Sequence, residues 1–389
     1  MKPSDKAARR IGTQIGAAFV MGAVAGIAQG VVRSRAGSGP VSLIDWDRVF
    51  QVGSFLSGTG LGMRLTAAQR HEREAYYRAV VERVSPQMSA YLGGDFVFAT
   101  KPEVLDRADW IEANIGSFAT VFEPVEDILR ERVGGRLSTP MNQQAGSVAL
   151  GVMLGYLSRR VLGQYDPALL GKEAVATGRL YFVEANLDAA RRQLSLPKEQ
   201  FETWIVFHEL THSWQFEAHP WLREYMNDNV RTLLTSAGGR LARLDAGELL
   251  RLAMRGELDL FRPQKLLTGL MTPDQRRMFD QLQALMSLLE GFSNHVMDAL
   301  GPDLLPDYSR IAAQFERRQA DKSPAEKLFI RMTGLEMKME QYKIGERFVN
   351  EVVRARGVAF MNRVWEGPEW LPNLREVYEP SRWIQRAGV

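Results

Sequence analysis

The 389-residue chain has no cysteine. Disulfides, thiolate metal ligands and cysteine nucleophiles are excluded, so any metal must be held by histidine, aspartate or glutamate. Histidine is itself scarce, at five residues. Excess charge is lacking too: 49 Lys and Arg face 46 Asp and Glu, a net +3. Arginine is spread along the chain rather than clustered, which gives no basis for a nucleic-acid partner. No fixed-period repeat and no low-complexity block is present. Hydrophobic residues make up 45% of the chain, enough to fill the core of one large domain or two ordinary ones.

Against that scarcity, two of the five histidines fall in His208-Glu209-Leu210-Thr211-His212. Read as a helix, the motif sets both imidazoles on one face, a turn apart, where they can grip one Zn2+ ion. Glu209 then stands beside the metal as a general base for water. The alternative is a helix with two histidines hydrogen-bonded in a core. The helix has its own signals. Leu196-Pro197 supplies a start, Phe201, Trp204, Ile205 and Phe207 follow at helical spacing, and Pro220 stops the run.

The chain divides into a basic, Gly-rich segment with a linker, 1–40, and a remaining domain, 41–389. Ile11 to Val32 carries no charge, and its glycines recur at helix-packing spacing. A closely packed helix and a membrane-associated segment both fit residues 11–32. We expect a cytoplasmic protein, membrane-associated if the second reading holds. Thr66 to Val84, Val104 to Leu129 and Gln144 to Leu162 read as helices. Gly163-Gln164-Tyr165-Asp166-Pro167 reads as a turn, and Leu180 to Val183 as the best strand. That strand could pair with extended substrate or lie buried. Helices are expected over Trp221 to Leu234, Leu241 to Met254, Gln275 to Leu300 and Pro324 to Val353. Trp365 to Pro380 should wrap the surface. The expected fold is mainly α with a small β element (α+β), the third metal ligand arriving from a later helix.

A catalytic zinc takes three protein ligands. His219 follows His212 by seven residues, where a metzincin needs six with a glycine midway, and Gln215 holds the midway position. Glu290 fits better. It is a carboxylate in an apolar helical run, where a metal offsets the cost of burial. Gly291 beside it would admit a second helix. Asn294 and Asp298 follow one and two turns on, as candidate partners for the outer nitrogens of the ligating histidines. His295, five residues from Glu290, is assigned to the pocket wall or to transition-state stabilisation. Tyr342, His295 and Tyr165 are the candidate oxyanion donors.

These segments resemble the zincin-like metallopeptidases of bacteria, of the actinobacterial type, some associated with biosynthesis of a deazaflavin coenzyme. The resemblance runs from about Asp45 onward. It rests on Asp45-Trp46-Asp47, Arg107-Ala108-Asp109-Trp110-Ile111, Val161 to Pro167, His208 to His212 with Gln215-Phe216 and Pro220-Trp221-Leu222, Glu290-Gly291 with His295 to Asp298, and Leu335 to Tyr342. It implies zinc on His208, His212 and Glu290, a catalytic Glu209, and a mostly helical hydrolase. The expected substrate is a peptide or small amide. A metal-stabilised scaffold without catalysis is the rival reading, and an intact Glu209 argues against it. A di-iron bundle would need a second Glu-x-x-His, which the chain lacks.

Overall fold

The computed structural model describes residues 44–58, 64–94, 96–133, 140–167, 178–241, 271–320 and 336–388. Helix α1 (Trp46–Ser57) starts where the Asp45 carboxylate accepts the Arg48 amide. Helix α2 (Ala67–Leu92) opens on a reciprocal capping box between Thr66 and Gln69. Strand β1 (Pro102–Leu105) leads into α3 (Arg107–Val133), followed by α4 (Pro140–Ser158), β2 (Gly163–Asp166) and β3 (Arg179–Val183). Helices α5 (Glu184–Leu194), α6 (Lys198–Glu217) and α7 (Pro220–Leu241) follow. A second capping box, Thr272 with Gln275, and Pro273 in the first turn begin α8 (Pro273–Leu304). Then come α9 (Tyr308–Ala320) and α10 (Glu336–Arg356), and short helices close the chain. The fold is mainly α with one small sheet.

The three strands are ordered β1-β3-β2. β3 runs parallel to β1 and antiparallel to β2. The alternation of β3 divides two apolar cores. Leu180 and Phe182 face the larger, built on α2, α6, α8 and α10. Tyr181 and Val183 face the smaller, with Val49, Trp110, Ile111 and Leu154.

Several sequence expectations change. Leu180 to Val183 is the central strand, paired on both sides, so it offers no free edge. Gly163 to Asp166, read as a turn, is the edge strand β2, and Pro102–Leu105 is a strand that overlaps the start of the expected helix from Val104. The tail does not merely wrap the surface: Trp365, Val377 and Trp383 are buried in the larger core. Ile11 to Val32 lies outside the described residues, as do all but the first residue of the expected helix Leu241 to Met254 and the first part of the one from Pro324. No helix among the described residues is long and apolar enough to cross a membrane.

Two contacts place the later helix on the earlier one. Gly291 of α8 and Gly345 of α10 meet backbone to backbone: a Cβ on Gly345 would lie 1.8 Å from the Ser287 carbonyl oxygen. Gln215 of α6 donates to the Leu289 carbonyl of α8 at 2.9 Å.

Candidate metal centre

The stretch Phe201–Phe216 of α6 is buried at every position except His208 and His212. A helix buried on nearly all sides belongs in a core, and here only the two imidazoles are partly exposed. The helix is held at both ends. Arg73 of α2 pairs with Glu202 at 2.7 Å and with Glu184 at 2.8 Å. At the other end the Glu217 carboxylate accepts from the Gly178 amide at 3.1 Å and from the Tyr165 hydroxyl at 3.3 Å.

Helix α8 brings Glu290, 7% exposed, onto the histidine face. Its Oε2 lies 3.6 Å from His208 Nε2 and 3.6 Å from His212 Nε2. The two Nε2 atoms are 3.3 Å apart, and the rings stand edge to face at 89°. A tetrahedral zinc with bonds of about 2.0–2.2 Å has ligand-to-ligand edges of about 3.3–3.6 Å. The triangle of donors therefore fits one such ion, and two imidazoles with a carboxylate suit it chemically. Among the described residues this is the one group of three or more metal-ligating side chains.

Burial alone would lower the His212 pKa. The Glu290 carboxylate, with a further contribution from Glu209, overrides that and holds it above the ordinary value of 6.5. The outer nitrogens are engaged as well. His212 Nδ1 lies 2.9 Å from Gln215 Oε1 and 3.4 Å from Ser293 Oγ, and His208 Nδ1 lies 3.3 Å from Met297 Sδ. Trp204 stacks beside the His208 ring at 6.5 Å between centroids.

Glu209 is 8% exposed, and its Oε2 accepts the backbone N–H of Tyr165 at 2.9 Å. That amide belongs to edge strand β2. Gly163 of the same strand passes so close that a Cβ there would sit 2.8 Å from Glu209 Cγ. The residues read as a turn thus form the strand beside the motif helix.

The other candidates lie elsewhere. His295 has both nitrogens bonded, Nε2 to the Tyr91 hydroxyl at 2.8 Å and Nδ1 to Asn350 Oδ1 at 2.7 Å. Neither is directed at the three ligand atoms. Asn294 donates to Glu346 of α10 at 3.1 Å, and Asp298 accepts from the Tyr308 hydroxyl. Neither holds a ligating histidine. Their places are taken by Gln215 and Met297. The signal for Gln215 was available: it lies three residues after His212, on the same side of the helix. Nothing in sequence spacing pointed to Met297. Tyr342 falls within α10, but its side chain lies outside the described residues. The Tyr165 hydroxyl is turned toward Glu217. His219 sits between Trp214 and Trp365, with Nδ1 donating to the Gln215 carbonyl at 3.0 Å; burial lowers its pKa.

Comparison with known proteins bears on the family and the fold. A family model described as zincin-like metallopeptidase matches residues 44–384. A solved structure from Chloroflexus aurantiacus, titled as that of "a putative hydrolase with a novel fold", is 36% identical in sequence. It covers 89% of this chain and 99% of its own, with a TM-score of 0.66. No curated protein matches. Neither comparison speaks to a deazaflavin coenzyme. On a match spanning nearly all of its length, the chain belongs to the zincin-like metallopeptidase family.

Proposed function

We propose that this protein is a zinc-dependent hydrolase that cleaves an amide bond in a peptide or small amide, with Glu209 as general base. The observation that carries the reading is the mutual spacing of 3.3–3.6 Å among His208 Nε2, His212 Nε2 and Glu290 Oε2. A zinc ion there would supply Lewis acidity, acidifying water and polarising the scissile carbonyl. His208, His212 and Glu290 are the residues that would hold it, and their site carries two neutral ligands and one anionic one.

Glu209 follows the first histidine directly, and its charge is felt by His212. In the proposed reaction its carboxylate removes a proton from the attacking water as the oxygen bonds the carbonyl carbon. The same carboxyl group then delivers that proton to the leaving nitrogen as the carbon–nitrogen bond breaks. The Tyr165 amide orients the carboxylate in the structure, at 2.9 Å. Burial of Phe207, Leu210 and Thr211 around the motif keeps bulk water from the far side of the helix.

The test is metal analysis of protein purified without added metal, beside a peptide-library cleavage assay on the wild type and on Glu209→Gln. About one zinc per chain in both proteins, with cleavage by the wild type alone, is the expected result. Cleavage that survives in Glu209→Gln removes Glu209 as base. Absence of zinc from the wild type removes the zinc reading.

A further inference from the structure

One buried side chain touches both halves of the metal centre. Gln215 is fully buried and lies between α6 and α8. Its Oε1 faces His212 Nδ1 at 2.9 Å, and its Nε2 faces the Leu289 carbonyl at 2.9 Å. A carboxamide has one end that only donates and one that only accepts. The Leu289 carbonyl can only accept, so the NH2 end must face it. Reversing the amide would set two acceptors against each other in a buried place. The oxygen end is therefore directed at His212 Nδ1, which must donate to it.

From this we infer that Gln215 is a positioning residue that selects the Nδ1–H tautomer of His212 before any metal arrives. When the ring is neutral, that tautomer leaves the Nε2 lone pair free and aimed at the space shared with His208 and Glu290. Leu289 immediately precedes Glu290, so the same amide also fixes the backbone that carries the third ligand. The inference rests on the proposed metal site for its purpose, although the tautomer itself does not require a metal. The two histidines are unequal in this respect. His208 Nδ1 meets a thioether, Met297 Sδ at 3.3 Å, and a thioether is a weak acceptor. Ser293 Oγ, at 3.4 Å from His212 Nδ1, is the more distant of the two oxygens at that nitrogen. His212 is the histidine set in advance, and His208 adjusts to it.

Two substitutions separate this role from simple packing. Gln215→Leu keeps the bulk and removes both hydrogen bonds. Gln215→Glu keeps an acceptor for His212 Nδ1–H and keeps a donor to the Leu289 carbonyl only as the protonated acid. Zinc dissociation constants are measured by competition with a chromophoric chelator, and melting temperatures are recorded on the metal-free proteins. The zinc Kd of Gln215→Leu should rise by roughly 10–100-fold, the usual effect of losing such a partner. Gln215→Glu should stay within about threefold of the wild type. A Gln215→Leu protein that melts cooperatively and binds zinc as tightly as the wild type overturns the inference. So does a Gln215→Glu protein as weak as Gln215→Leu, because the Leu289 bond alone would then explain the loss. If Gln215→Leu does not fold, 15N shifts of His212 in the metal-free wild type decide the matter. At a pH where the ring is neutral, a proton on Nδ1 supports the inference and a proton on Nε2 overturns it. That measurement stands even if the wild type takes up no zinc, a result that would sink the proposed function alone.

Discussion

Gly291 and Gly345 touch without side chains between them: a Cβ on Gly291 would lie 2.1 Å from the carbonyl carbon of Gly345. The contact lies one residue from Glu290, so the distance between α8 and α10 is coupled to the position of the proposed third ligand. Because the obstacle is backbone, Gly291→Ala can be accommodated only by separating the helices. We expect a destabilisation of about 1–3 kcal/mol, the range for overpacking a tight core, together with weaker zinc binding. Urea unfolding and chelator competition on the same protein check both. A Gly291→Ala protein of unchanged stability would show that the helices do not need this approach.

Glu290→Ala should lower zinc affinity by orders of magnitude, since two histidines and water remain. His219→Ala should leave zinc affinity within about twofold, because its ring is packed between Trp214 and Trp365 rather than at the ligand triangle. It should instead lower the melting temperature. The opposite pattern, zinc lost with His219 and kept without Glu290, would assign the third ligand to His219.

Gly163→Ala tests the edge strand. The new methyl would meet Glu209 Cγ at 2.8 Å and Ile205 Cγ2 at 2.9 Å. The carboxylate must shift, while neither histidine is among the nearest neighbours of the new methyl. The expected outcome is a fall in kcat with zinc content unchanged. Loss of zinc in step with activity would mean that the whole motif helix had moved.

The raised pKa of His212 fixes the direction of the pH dependence. In the metal-free protein the protonated ring pairs with Glu290, so this pair contributes fully below about pH 6.5 and its contribution is lost as pH rises through the raised value. Zinc must displace that proton. Uptake near pH 6.5 should therefore release a proton, and zinc affinity should fall as pH falls. Calorimetry in buffers of different ionisation enthalpy measures the release. Proton release that persists undiminished in His212→Gln would place it on another group.

The helical part of the fold was legible because its signals are local. Thr66 with Gln69, and Thr272-Pro273 with Gln275, start helices by caps that sequence displays openly. The histidine face of α6 was legible for the same reason. The strands were harder. Gly163-Gln164-Tyr165-Asp166 has turn composition, yet the glycine is there because Glu209 occupies the space of a side chain. Asn294 and Asp298 share the Glu290 side of α8, which suggested partners for the histidines. The close Gly291–Gly345 approach brings Glu346 of α10 to Asn294 instead. His295 was placed by its distance from Glu290 along the chain, but its partners Tyr91 and Asn350 come from α2 and α10. Pairings of that kind depend on which helices meet, and no local pattern encodes them.

The two-faced strand β3 has a consequence for how the molecule opens. Its odd and even residues belong to different apolar clusters, so the same short ladder of amides is covered from both sides. Local fluctuations elsewhere leave that ladder intact, and only opening of both clusters together exposes it. The backbone amides of 180–183 should then exchange with deuterium through global unfolding alone, and weakening the smaller cluster, as in Ile111→Val, should speed exchange on both faces of the strand equally. The site helix, whose apolar residues share the larger cluster with Phe182, would be stiffened through the strand by the smaller cluster as well.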